Sequence, residues 1–294
     1  MTAALGLSLV LGLLSQAKGP TVDEVHFTVV PAPRPAPKPA DDDKDEGAPA
    51  RLAYMKDSVT RYTVRPAEAG AAAFRLVPEP IFRLNNAVSG VKDGAIFLWL
   101  DELNRPEAAV QVFRIPNGWW LHEFTSLSTG PFVAETDSAR TWHPSRPGLE
   151  FKPIPDAPKP ASTAEQRLRQ MRAMAREFAA EDEFEGKDWN ALRLLPTPLL
   201  RYGKAGAKVE DGALFSFVLG TDPEVFLMLE ARPGRAGLEW QYAFAPMTSY
   251  AVKGSWKGKD AWSLPWRKDA IDPNGTFCDL IYSKGIEPAA GGSK

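Results

Sequence analysis

The chain has 294 residues, a formal net charge of −2 and a single cysteine, Cys278. That length suffices for one or two domains with a sizeable core. One cysteine excludes an intramolecular disulfide and a cysteine-based metal cluster, and a near-neutral charge gives no electrostatic reason to bind nucleic acid or an anionic membrane.

Residues 1–17 hold one short apolar core followed by Ser15-Gln16-Ala17, a small-x-small cleavage pattern. The core is too short to span a bilayer and is read as a signal peptide, although no Lys or Arg precedes it. Export to the periplasm or the extracellular space is therefore expected. Residues 18–50 contain PAPRPAPKPADDDKDEGAPA and are read as a disordered, Pro-rich and acidic linker. Four basic and seven acidic side chains fall here, which leaves the remainder near +1. The acidic run from Asp41 to Glu46 lacks the glycine and the ligand spacing of a calcium loop.

Beyond residue 50 the chain repeats its own phrases. FRLVPEPIFRL (Phe74 to Leu84) matches LRLLPTPLLRY (Leu192 to Tyr202), and VKDGAIF (Val91 to Phe97) matches VEDGALF (Val209 to Phe215). Trp120, Phe124 and Trp142 match Trp240, Phe244 and Trp262, while Arg51-Leu52 and Met55 match Arg167-Leu168 and Met171. The expected fold is α+β, with two tandem homologous units at 51–144 and 162–268. Each is expected to be one helix followed by an antiparallel β-meander, with a Pro-rich linker at 145–161 and a tail at 269–294.

In the first unit Leu52, Met55, Val59 and Tyr62 keep a helical spacing. In the second, Ser162 with Glu165 forms a capping box, and Leu168, Met171, Ala175 and Phe178 share one face. Asp93-Gly94 and Asp211-Gly212 read as turns, because glycine tolerates positive φ and aspartate bonds its own backbone. ALFSFV and VFLML are apolar on both faces and flank the turn-rich LGTDP, which predicts a hairpin of covered strands. EWQYAFA alternates strictly, with Trp240, Tyr242 and Phe244 on one face. Its counterpart WWLHEFT does not: Trp119 and Leu121 occupy positions that are polar in the second unit. In the inter-unit linker LEF is a possible edge strand, and TFCDLIY a further strand in the tail.

Chemistry is sparse. His122 and Glu123 point to opposite faces of a period-2 strand and cannot act as a pair, and His122 is matched by Tyr242. Ser89-Gly-Val-Lys92 fits S-x-x-K, but it runs into Asp93-Gly94 rather than opening a helix. SWKGKDAWSLPWRK interleaves aromatics with cations, as sugar- or base-stacking platforms do. A hairpin turning at Lys257-Gly-Lys-Asp260, with Trp256 and Trp262 packed inward, is the favoured reading, since Trp142 matches Trp262, and only the unmatched Trp256 and Trp266 remain binding candidates. Trp119, Leu121, His122, Trp256 and Trp266 are the candidate binding or interface residues. No catalytic residue, metal ligand or cofactor is expected.

The phrases EPIFRLNNAVSGVKDGAIFLW, RPGLEFKPIPDAP, RQMRAMAREF and DGALFSFVLGTDPEVFLMLEA together resemble a family of uncharacterised exported bacterial proteins. The resemblance spans about 51–266. It implies a stand-alone exported protein and carries over no activity, ligand or catalytic residue.

The functional expectation is a non-catalytic exported protein with a binding or structural role. Its partner would be an apolar small molecule, a lipid or an envelope protein, with no transmembrane segment after signal removal. The alternative is an extracytoplasmic hydrolase or carbohydrate-binding protein using His122, Glu123, Asp93 and Asp211, with Trp256 and Trp266 as platforms.

Overall fold

A computed structural model of the chain describes residues 47–284 except 88, 117, 137–140 and 236, and excludes the side chains of 185 and 281–284. The expected signal peptide, residues 18–46 of the expected linker with His26, and residues 285–294 lie outside the described residues.

Helix α1 (Ala48–Val59) is followed by β1 (Thr63–Pro66), β2 (Arg75–Leu76) and β3 (Phe82–Asn86). The long strands β4 (Val91–Leu100), β5 (Pro106–Arg114) and β6 (Trp119–Ser126) come next, then β7 (Phe132–Glu135) and β8 (Lys152–Pro153). Helix α2 (Ala164–Ala175) leads into β9 (Phe178–Glu183), β10 (Trp189–Ala191), β11 (Arg193–Leu194) and β12 (Leu200–Tyr202). The chain closes with β13 (Asp211–Leu219), β14 (Asp222–Gly234), β15 (Gly237–Pro246), β16 (Ala251–Trp256), β17 (Lys259–Leu264) and β18 (Phe277–Lys284).

Two six-stranded antiparallel sheets dominate. One runs β18-β6-β5-β4-β2, with β3 also on β4; the other runs β8-β15-β14-β13-β11, with β12 also on β13. Their facing sides meet in one apolar cluster, in which Ile96, Leu98, Phe226 and Met228 are fully buried. Each such side chain stabilises the fold by about 1.5–3 kcal/mol relative to exposure. The far side of the first sheet packs Phe97, Trp99 and Phe124 against Met55 and Val59 of α1 and against Val64, Phe132 and Ala134 of the β1–β7 pair. The far side of the second packs Phe215, Leu227 and Phe244 against Met171 and Ala175 of α2 and against Phe178, Val252 and Trp256 of a sheet ordered β10-β9-β16-β17.

The expectation of an α+β fold made of two tandem helix-plus-meander units is overturned. Strands take up 47% of the described residues and helix 12%, in four sheets with two α-helices, so the fold is mainly β. The reason lies in β4, β5, β13 and β14, which are buried along nearly their whole length. A strand apolar on both faces needs cover on both, and one twelve-residue helix covers only part of one face. The other face takes the opposite six-stranded sheet. Elements assigned to linker and tail join in as well, with β8 on β15 and β18 along β6.

Asp93-Gly94 and Asp211-Gly212 are not turns. Both pairs lie inside strands, at β4 and at the start of β13, and neither glycine has a positive φ. The aspartates are buried anchors for arginines. Asp93 takes Arg51 Nε of α1 at 3.2 Å and Arg83 of β3. Asp211 takes Arg167 Nε of α2 at 2.9 Å, with Arg201 Nε of β12 at 2.9 Å and Nη2 at 2.7 Å. Each carboxylate thus ties a helix, a short strand and a long strand together. The glycines permit close approach: a Cβ on Gly212 would sit 2.5 Å from the Tyr202 ring, and one on Gly94 would sit 3.0 Å from Leu84 and Phe113.

Helix α2 is capped one residue later than expected, with Thr163 Oγ1 accepting from the Gln166 backbone N–H at 3.3 Å. Phe178 lies in β9 rather than on the helix, and Arg167 is buried by its pairing with Asp211. The two hairpin expectations hold: Gly220 (φ 64°) turns β13 into β14, and Lys257 (φ 47°) with Gly258 (φ 76°) turns β16 into β17.

Removing one partner of a buried charge group strands the others. Asp211→Ala is therefore expected to cost about 3–5 kcal/mol in a urea unfolding titration, with Arg201→Ala costing less because Arg201 is partly exposed. A loss under about 1 kcal/mol for Asp211→Ala, the range of surface pairs, would contradict the anchor role.

Candidate functional site

A groove of about 450 Å³ runs beside the edge of β15. Its floor is formed by Tyr242, Ala243, Phe244 and Pro246. One wall comes from the 146–152 segment, the other from Ala261, Trp262 and Leu264 of β17, and Thr276 also contributes. The volume falls within the range of small-molecule and peptide sites.

Local sequence sets both walls. Trp262 lies flat on Phe244, with centroids 5.4 Å apart and an interplanar angle of 19°. Gly254 makes room for that Phe244 ring, since a Cβ there would sit 2.7 Å from it. On the opposite wall, Leu149 is buried in the inter-sheet cluster, and the backbone N–H groups of Gly148 and Leu149 donate to Ser128 O at 3.0 and 3.2 Å. Gly148 passes so close to β6 that a Cβ would meet Ser126 O at 2.1 Å. Gly148 and Leu149 are thereby held toward the first sheet, before Lys152 reaches the β15 edge at Tyr242.

The five expected candidates do not line this groove. Trp119 is half-buried and pairs with Lys284 at the end of β6. Leu121 packs against the inter-sheet cluster. His122 is fully buried on the α1 side, its Nδ1 2.9 Å from the Tyr62 hydroxyl. Trp256 is 7% exposed and packs on Phe178, with centroids 4.5 Å apart. Trp266 is half-buried beside Tyr250, at 5.9 Å. Nor do the alternative's residues converge: Asp93 is bound to α1, Asp211 to α2, and Glu123 lies on the opposite face of β6 from His122.

Glu123 belongs to a second feature, a group of carboxylates between the sheets. It sits directly across from Asp279 in the β6–β18 ladder and from Gln111 in the β5–β6 ladder. Asp222 of β14 accepts from Gln111 Nε2 at 2.8 Å and from Asn86 Nδ2 at 2.7 Å. Burial, then Asp279, Asp222 and Glu224, push the Glu123 carboxyl well above the usual range, although some solvent still reaches it. Burial also raises Asp279 to about 7, with Arg267 opposing, and raises Asp222, Glu224 and Asp182. Asp182, which is fully buried, has no hydrogen-bond partner on either oxygen; its cross-strand neighbour Asn190 offsets the burial only in part. Gln111 Oε1 and Asp279 Oδ1 are buried without a partner as well. Protonated acids supply the donors that such oxygens lack.

The same inter-sheet space holds a balanced group further along β14, where Arg105 and Arg232 face Glu107 and Glu230. Arg105 Nε donates to Glu230 at 3.0 Å and its Nη1 to Glu107 at 2.6 Å, while the Tyr202 hydroxyl donates to Glu230 at 2.8 Å. Glu230 lies six residues from Glu224 on one strand, a separation of roughly 20 Å. Among the described residues no three His, Cys, Asp or Glu side chains converge as a metal site requires, and no helix is long and apolar enough to cross a membrane.

Reasoning from sequence missed the groove because one wall lies in a stretch read as linker, and the Trp262 of the other wall and the Phe244 of the floor both read as core. It also missed Asp222, Glu224 and Asp279, which are far apart in the chain. The available signal was a lone acid inside an apolar run, as in TFCDLIY and TDPEVFLML. No family model, no curated protein and no solved structure matches the chain.

The carboxylates make stability depend on pH. Their pKa values are raised in the fold, so between about pH 4 and pH 7 the folded chain holds protons that the unfolded chain has released. Stability is present below that window and falls as pH rises through it, by about 1–3 kcal/mol for Asp279. Unfolding midpoints of Asp279→Asn should lose much of this slope and exceed wild type at pH 7. A slope identical to wild type would contradict the assignment.

Proposed function

We propose that the protein is a non-catalytic, exported binding protein whose site is the groove along β15. The observation that carries this reading is the groove itself: an apolar floor and wall beside an edge strand, lined also by a few charged side chains. Phe244, Trp262 and Leu264 supply the apolar contact, and Arg146, Glu150 and Lys152 supply the polar fringe. Such a combination buries a ligand and orients it.

Export is supported by the N-terminal apolar core and cleavage pattern, and the matched phrases support an internal sequence repeat. The space between the six-stranded sheets is filled by Ile96, Leu98, Phe226, Met228 and their neighbours. That filling speaks against a carrier that encloses an apolar ligand between the sheets and moves the reading to the external groove. The hydrolase alternative has no comparable support, because its candidate residues are spread over separate environments.

Native mass spectrometry of the mature protein, purified gently from its own host, tests the reading alongside Ala261→Phe, which fills the groove. Wild type should carry extra mass that denaturation releases. The variant should be bare, with its melting temperature within about 3 °C of wild type, a shift of roughly 1 kcal/mol for a domain this size. A bare wild-type polypeptide, or mass retained equally by both, would contradict the proposal.

A further inference from the structure

We infer that the occupant of the groove is an extended polypeptide segment that adds to β15 as a strand, an inference that rests on the groove being the binding site. The precedent lies within the molecule. The two six-stranded sheets have the same order of neighbours, with β6 in one where β15 stands in the other. On β6 that outer edge is fully taken: β18 pairs from Thr125 to Trp119. On β15, among the described residues, the corresponding edge is taken only from Trp240 to Tyr242, by β8 and the Ile154 N–H that follows it. Among the described residues, no strand pairs with Ala243 to Pro246 on that side.

The direction of the backbone groups follows from their hydrogen-bond partners and strand alternation. Trp240 O accepts from the Ile154 N–H at 2.9 Å on the β8 side, whereas the Met247 N–H donates to Glu224 O at 2.7 Å on the β14 side. Even-numbered residues of β15 therefore present their N–H and C=O outward. Beyond Tyr242 that leaves the Phe244 N–H, the Phe244 C=O and the Pro246 C=O facing the groove, since proline has no N–H to offer. The same parity holds on β6, where the Ser126 N–H donates to Thr276 O at 2.8 Å as β18 begins.

Three outward groups call for one carbonyl and two N–H groups from the incoming segment, with the N–H groups on alternate residues. Its side chains would alternate between the Trp262–Leu264 wall and the Leu149 wall, as Cys278 and Asp279 of β18 point to opposite faces of the first sheet. An apolar residue suits the Trp262 side. Gly148 and Leu149 are drawn to the first sheet by their bonds to Ser128 O, so β8 joins β15 only from Lys152 onward. This is strand addition, in which the main chain gives affinity and alternate side chains give selectivity.

The test uses a labelled decapeptide with the sequence of residues 275–284, the chain's own edge-covering strand, carrying Cys278→Ser. Fluorescence anisotropy should show saturable binding to the wild-type protein. A peptide N-methylated on alternate residues, which keeps the side chains but removes the N–H donors, should bind at least about tenfold more weakly, equivalent to 1.4 kcal/mol. Ala261→Phe should weaken the unmodified peptide comparably. Equal affinity for both peptides would overturn strand addition and leave the groove to ligands held by side chains alone. Absence of binding by either peptide would also overturn it, while groove occupancy is judged separately by the mass released from the native protein. Unchanged binding to Ala261→Phe would place the peptide on another edge and contradict the inference.

Discussion

β4, β5, β13 and β14 carry apolar side chains on both faces, and each therefore needs two layers of cover. Pairing the two sheets satisfies one face of each in a single step, through the cluster around Ile96, Leu98, Phe226 and Met228. The outer faces are then covered separately, by α1 with the β1–β7 pair and by α2 with the β10-β9-β16-β17 sheet. A helix laid on a sheet can slide, and here it is pinned. Arg51 and Arg167 reach from the helices to Asp93 and Asp211, which Arg83 and Arg201 also hold. Backbone packing at Gly94 and Gly212 lets those strands approach closely enough for the pins to engage.

Polar groups inside this arrangement are handled in two ways. Around Arg105 the charges balance, with Glu107 and Glu230 close to its guanidinium, Arg232 also paired with Glu230, and the Tyr202 hydroxyl donating to Glu230. Around Glu123 they do not: Asp279, Asp222 and Glu224 crowd its carboxyl, with Arg267 as a counter-charge. Carboxylates crowded in this way keep protons to higher pH, which links the β6–β18 and β5–β14 contacts to the acidity of the medium. Covering β6 along its length with a strand that carries Asp279 thus makes that edge pH-sensitive, whereas the β15 edge runs into the groove beyond Tyr242.

Much of the fold could be read from the chain. The hairpins at Gly220 and Lys257-Gly258, the helix over Met171 and Ala175, and the inward face of Trp240, Tyr242 and Phe244 follow from period, turn residues and capping. The class could not be read, because a doubly apolar strand states its need for cover without saying which element provides it. Asp-Gly misled for a similar reason. Its local chemistry favours a turn, but Asp211 is claimed by arginines 44 and 10 residues away, and no local pattern reports a partner at that distance. Of the candidate site, Phe244 was visible only as a core residue, and Trp256 drew attention as an aromatic although Phe178 buries it. The groove arises from what is missing beside β15, and a missing neighbour leaves no mark in sequence.

The central claim is that β15 offers a free edge where β6 does not, and amide hydrogen exchange of the unliganded protein at residue resolution tests it directly. The account predicts fast exchange at Phe244 and strong protection at Phe124, whose outward N–H lies under Cys278 of β18. Equal and strong protection at both positions would mean that the β15 edge is already covered, and the binding account would fall with it.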